Sequence, residues 1–193
     1  LGALDRIAQD RAPSEISVKL TQLGLDLDRD RCYARLQELV ERAHARGVFL
    51  WIDMEQSRYV DVTLEQARRA RALRPGVGVA LQAYLRRTPS DLLALLPTGT
   101  GVRLVKGAYM EPPEVAFPKK EDVDRAYFEL AQVLRGEGAR QAAVRAVFGT
   151  HDTKLIEAIR AHARAGGLPG GGCEFHLLYG EWYGLRSSVV PCW

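Results

Sequence analysis

Val102-Arg103-Leu104-Val105-Lys106-Gly107-Ala108-Tyr109 reads as a short β-strand that carries one cation inside it, a second at its end, and a glycine just beyond. A strand of a parallel sheet is covered on both faces and is expected to be a near-continuous run of Val, Ile and Leu, so the two cations need a reason. Side chains alternate along a strand, and residues three apart project to opposite faces. Arg103 and Lys106 therefore serve one site only if the strand ends between them, which places Lys106 in the following loop. Gly107 has no side chain and tolerates unusual torsion angles, so the backbone there can approach a ligand closely. Val105 to Ala108 is suited to line the edge of a flat, polar heterocycle.

The same strand-then-loop pattern recurs on either side. Ile16–Leu20 is an apolar β-branched run, followed by a Gly/Asp-rich loop and a helix from about Arg31 to Arg46, with Leu36, Leu39, Val40 and Ala43 at helical spacing. Val48–Asp53 is a second strand, with a helix over Thr63–Leu73 for which Thr63 is the expected N-cap. Val77–Tyr84 is a third, and Thr88-Pro89-Ser90-Asp91 starts the next helix. Gly101–Lys106 is the fourth, and a loop over Gly107–Pro118 leads to a helix over Glu121–Arg135. Ala143–Thr150 with its helix Lys154–Ala165, and Cys173–Leu178, complete the series. Alternating strands and helices predict an α/β fold of the (β/α)8 TIM-like barrel type, with about six of the eight βα units recognisable.

Polar residues interrupt these strands at one end. Lys19 ends the first, Asp53 the second, Gln82 lies late in the third, Arg103 and Lys106 mark the fourth, and Thr150-His151 ends the fifth. In a barrel those ends converge on one mouth, where active sites are built. On chemistry alone a lysine ending a barrel strand also describes a Schiff-base aldolase-like lyase using Lys106. Such an enzyme has no need of an arginine three residues earlier or of a glutamine and a second lysine from other strands, which suit an electron-rich, anionic ligand better.

The chain has 193 residues, 47% hydrophobic and 26% charged, with a formal charge of +3, so one globular domain is expected. Its basic residues are scattered arginines rather than a block, which argues against a nucleic-acid partner. Cys32, Cys173 and Cys192 lie far apart, outside any disulfide framework or zinc spacing. The chain contains no G-x-G-x-x-G and no phosphate loop of the Walker type, so a nucleotide would be held by the barrel mouth. Trp51 is expected in the core, His44 and His162 on exposed helix faces, and His176 is left without a role. With no membrane-length apolar segment and no signal-peptide pattern at Leu1, the expected location is cytoplasmic.

Taken in order, Ile16-Ser-Val-Lys-Leu-Thr-Gln-Leu-Gly, Ile52-Asp-Met-Glu, Leu81-Gln-Ala-Tyr-Leu, Val102-Arg-Leu-Val-Lys-Gly-Ala-Tyr, Thr150-His-Asp and Glu174-Phe-His-Leu-Leu-Tyr-Gly make the chain resemble the proline dehydrogenases, with the match running over about residues 10 to 180. The resemblance implies FAD-dependent oxidation of L-proline to Δ1-pyrroline-5-carboxylate, with electrons passed to a quinone. It implies Asp53 and Arg103 as the catalytic pair, with Arg103 beside the flavin ring. Met54, Gln82, Arg103, Val105, Lys106, Gly107, Ala108, Lys120, Thr150 and His151 are the implied cofactor contacts, and Lys19, Tyr109 and Leu178 the substrate contacts. It further implies a peripheral contact with the inner face of a membrane and a partnership with pyrroline-5-carboxylate dehydrogenase.

The resemblance places the flavin-binding barrel over residues 1–180 and leaves 181–193 as a divergent tail. After Gly180 nothing resembles the Y-x-x-R-R helix whose arginines hold the substrate carboxylate in that family, and the chain reads as truncated at both ends. The competing expectation is a truncated or degenerate FAD-binding domain with little turnover.

Overall fold

A computed structural model of the chain describes residues 2–10, 14–166 and 173–177. Helix α1 (Gly2–Gln9) precedes six strands: β1 (Ile16–Lys19), β2 (Leu50–Asp53), β3 (Val77–Gln82), β4 (Gly101–Val105), β5 (Ala146–Gly149) and β6 (Glu174–His176). All pair in parallel and in chain order. Between them run α2 (Arg29–Ala45), α3 (Val60–Leu73), α4 (Thr88–Leu95), α5 (Lys120–Arg135) with the short α6 (Glu137–Gln141), and α7 (Thr153–Ala165). Sequential parallel strands with a helical crossover at every step form the wall of a TIM-like barrel, as expected. The sequence reading missed α1 and α6.

Alternation sorts each strand into two faces. Ile52, Val79, Leu81, Leu104, Phe148 and Phe175 are buried and belong to one apolar core with Leu36, Val40, Leu64, Leu92, Leu130 and Ile156 of the helices. Within that core the Tyr127 hydroxyl donates to the Leu104 carbonyl at 3.0 Å, which satisfies the polar tip of an otherwise apolar ring. The opposite face carries Ser17, Lys19, Asp53, Gln82, Arg103 and His176. The strands therefore do not have two apolar faces, and their polar members share one interior surface.

Several boundaries differ from the sequence reading. The strands are shorter than expected at one or both ends, because β4 stops at Val105 and β3 at Gln82. Helix α3 begins at Val60, not Thr63, because the turn Ser57–Tyr59 runs straight into it. Thr63 is thus no N-cap; it lies inside the helix, buried, and its hydroxyl has no hydrogen-bond partner among the described residues. Helix α2 has a true side-chain cap, Asp28, which accepts from the amides of Asp30 and Arg31.

Candidate active site

Register brings the polar strand ends level with one another. Lys19 on β1 is paired with Asp53 on β2. Ala80, Arg103, Val147 and Glu174 form one row across β3 to β6, and Gln82, Val105, Gly149 and His176 the next row toward the carboxyl ends. These rows floor a cavity of about 810 Å³ lined by Ser17, Lys19, Asp53, Met54, Ala80, Gln82, Arg103, Val105 to Tyr109, Gly149 to Asp152, His176 and Leu177. That volume is in the range of small-molecule and cofactor sites.

Of the residues singled out in the sequence, Lys19, Asp53, Met54, Gln82, Arg103, Val105, Lys106, Gly107, Ala108, Tyr109, Thr150 and His151 all meet at this cavity. Lys120 does not: it opens α5, its side chain is 68% exposed, and it reaches the rim only through Asp152 at 3.4 Å. Leu178 lies outside the described residues, although its neighbour Leu177 lines the wall. Ser17, Ala80, Gly149, Asp152 and His176 also line it and were missed. For Ser17, Ala80, Gly149 and His176 the available signal was their two-residue spacing from Lys19, Gln82, Val147 and Glu174 on the inward faces; Asp152, the cap of α7, carries no such strand signal.

Arg103 projects inward, with its side chain only 14% exposed. Its Nη2 donates to Ser17 Oγ at 3.0 Å and to the Asp53 carboxylate. Lys106 lies just past the end of β4, as the alternation argument required. Its ammonium donates to Asp124 at 2.5 Å and Asp152 at 2.8 Å. The Lys106 hydrogen bond holds Asp152 at about pKa 2, against the opposing effect of burial. Asp124 is also lowered: burial pushes it up, but hydrogen bonds from Lys106 and Lys120 outweigh that. Asp152 further caps α7 by accepting from the amides of Lys154 and Leu155, and its own amide donates to Thr150 Oγ1.

The turn after β4 is shaped by Tyr84. Gly107 has φ of 115°, and a Cβ there would lie 2.3 Å from the Tyr84 ring, so only glycine lets the Lys106–Ala108 backbone lie along the cavity. Burial pushes the Tyr84 hydroxyl up to about pKa 12. The loop that carries Tyr109 is pinned at both sides. Glu111 accepts from the Ser57 amide at 2.7 Å and the Ser57 hydroxyl at 2.6 Å, and Ala116 bridges Leu85. Gln82 is 3% exposed and its Oε1 has no partner among the described residues, an arrangement that costs free energy unless a ligand donor meets it. Among the described residues no group of His, Cys, Asp and Glu is placed to hold a metal, and no helix is long and apolar enough to cross a membrane.

Comparison with known proteins identifies the family. A family model described as proline dehydrogenase matches residues 2–182. Proline dehydrogenase 2 of Bacillus subtilis (strain 168) is 36% identical over 186 residues, covering 95% of this chain and 59% of that protein. Proline dehydrogenase of Deinococcus radiodurans is 35% identical over 181 residues, covering 91% of this chain and 56% of that protein. The chain thus spans a little over half the length of these curated relatives. Among solved structures, proline utilization A from Bdellovibrio bacteriovorus, inactivated by N-propargylglycine, superposes with a TM-score of 0.79 at 25% identity over 92% of this chain and 23% of that one.

Proposed function

The chain belongs to the proline dehydrogenase family, and from that premise we propose that it forms the FAD- and substrate-binding barrel of an enzyme that oxidises L-proline to Δ1-pyrroline-5-carboxylate. The proposed division assigns residues 1–180 to that barrel domain and 181–193 to a divergent tail. The observation that carries this reading is the convergence of Lys19, Asp53, Gln82, Arg103 and the Lys106–Tyr109 turn on one cavity. A quinone is the proposed final acceptor, reached at a membrane face, and pyrroline-5-carboxylate dehydrogenase the proposed consumer of the product.

The residues present fit a flavin. The unpartnered Gln82 Oε1 is an acceptor for a ring N–H, and the Gly107 turn, which a Cβ would drive into the Tyr84 ring, lays the Lys106–Ala108 backbone along the cavity. Val105 to Ala108 would hold the ring system, Met54 would pack beside it, and Thr150 and His151 would meet the ribityl-adenine side. When bound, FAD supplies the two-electron oxidising chemistry. The protein's part is then binding, orientation and charge. Arg103, fixed by Ser17 and Asp53, presents a constant cation to negative charge that develops above it. Lys19 takes the substrate carboxylate, and Tyr109 and Leu178 are the proposed contacts of the substrate's ring.

The Schiff-base reading of Lys106 is disfavoured by its two carboxylate partners, since a nucleophilic amine needs its lone pair free. The test is the visible spectrum of the purified chain before and after anaerobic L-proline. A yellow protein bleached by proline supports the proposal, and a chain that takes up no FAD refutes it. A yellow chain that proline leaves unbleached identifies a flavin-binding domain without turnover.

A further inference from the structure

Below the cavity floor stands a pillar with no assigned role. Trp51, two residues before Asp53 on the inward face of β2, is completely buried. Its Nε1 donates to Glu15 Oε2 at 2.6 Å. Glu15 pairs with Arg145 at 2.5 Å, and Arg145 pairs in turn with Glu174. The Arg145 guanidinium lies over the Phe49 ring at 4.5 Å and over Trp51 at 5.6 Å. Neighbouring β3 makes room for the indole with Gly78, where a Cβ would fall 2.3 Å from Trp51 Cζ3. Arg103 rests on this ring, its Cζ 5.0 Å from the centroid, and His176 meets the ring edge-on at 5.9 Å.

The geometry of Arg103 shows why a platform matters. Both of its polar anchors, Ser17 and Asp53, are reached from the same nitrogen, Nη2. One anchored nitrogen leaves the guanidinium plane free to swing about that point, and arginine carries substantial rotamer entropy. A ring face under the central carbon supplies the missing constraint and favours the cation electrostatically. The carboxylate that accepts from the indole N–H fixes the ring's rotation about its own long axis.

We propose that Trp51, locked by the Glu15–Arg145 pair, is a positioning residue that sets the orientation of Arg103 in the cavity floor. The consequence for cofactor binding rests on the flavin reading above, whereas the positioning itself does not. The first arm of the test therefore uses the flavin-free chain. In its nitrogen-15 NMR spectrum, with the Arg103 Nε–H signal assigned through Arg103→Lys, that signal is expected to carry an upfield ring-current shift. The shift should vanish in Trp51→Leu, shrink in Trp51→Phe, and broaden in Glu15→Gln, which keeps the ring but weakens its lock. Trp51→Phe and Glu15→Gln preserve most of the packed volume and decide the matter if Trp51→Leu does not fold. An Arg103 signal that none of the three variants moves overturns the proposal.

The second arm is a double-mutant cycle on FAD affinity. Trp51→Phe should weaken binding by up to about 30-fold when Arg103 is present, the upper end of the cation–π range, and by less than about twofold in an Arg103→Met background. Equal losses in both backgrounds would show that Trp51 acts on the fold rather than through Arg103, and would sink the proposal. If the unaltered chain takes up no FAD, the flavin reading fails and the NMR arm still decides the role of Trp51.

Discussion

Lys19 and Lys106 each follow a strand into the same cavity, yet their surroundings differ in kind. Among the described residues the Lys19 ammonium has no ion-pair partner, whereas Lys106 is held by Asp124 from α5 and by Asp152 from the cap of α7. The positive charge of Lys106 is already spent on two carboxylates that also brace the helices outside the barrel. An anion arriving at Lys106 must compete with them, and one arriving at Lys19 need not. The β1 side of the rim is thus equipped to bind an acidic ligand, and the β4–β5 side to stay rigid beneath one.

The sharpest way to break this contrast is to exchange the effects. Lys19→Met should lower affinity for L-proline by about 10- to 150-fold, the range of one hydrogen bond to a charged group, with flavin absorbance and thermal midpoint unchanged. Isothermal titration and a melting curve on one preparation check both halves. Gly107→Ala combines a left-handed backbone with the collision against Tyr84, and should cost roughly 1–3 kcal/mol in stability and reduce flavin uptake, as read by denaturant unfolding and absorbance.

Lys106→Met is the mirror of Lys19→Met. It should destabilise the chain by about 1–2 kcal/mol, because two partly buried carboxylates keep only the exposed Lys120 as a cationic partner, while proline affinity stays within about twofold; a larger loss of affinity than of stability would invert the assignment. Asp152→Ala removes both the α7 cap and one Lys106 contact, for roughly 1 kcal/mol or slightly more. Asp152→Asn keeps the cap and loses the ion pair, so its melt against that of the unaltered chain isolates the ion pair, and the difference between the two variants isolates the cap.

The smallest effect is in pH. Asp152 ordinarily titrates near 3.8 and is held at about 2 in the fold, so its stabilisation is complete above the higher value and is lost as pH falls toward the lower one. Glu174 behaves in the same sense: burial raises it, but hydrogen bonds from His176 and Arg145 prevail and hold it at about 2. Melting curves between pH 5 and 2 should slope downward toward acid, and Lys106→Met should flatten part of that slope by reducing the contribution of Asp152, whose largest lowering influence is Lys106.

Much of this was legible in the chain of residues, for identifiable reasons. A strand announces itself by β-branched runs, and a charged residue inside one stands out because burial without a partner is so costly. That is why Lys19, Asp53, Gln82, Arg103 and Lys106 could be named as members of one site before their distances were known. Asp124, Asp152, Glu111 and Arg145 could not. They sit in helices, caps and loops where a charged residue is the ordinary solvated case, and nothing local says that its partner lies 18 to 46 residues away, as for Lys106. Thr63 failed in the opposite way, looking like a cap because threonine often is one, while the preceding turn had already started the helix.

By itself, then, the sequence determined the order of strands and helices, the barrel class and the end of the barrel at which polar groups gather, since these follow from periodicity and from the cost of burying charge. Only the tertiary structure decided which of those groups are spent and which are available. Trp51 was expected in the core and is there, but its place beneath Arg103 depends on register, on a glycine in the next strand and on a glutamate from outside the sheet. Pairing energies fall steeply with distance, and distances between residues far apart in the chain exist only once it has folded.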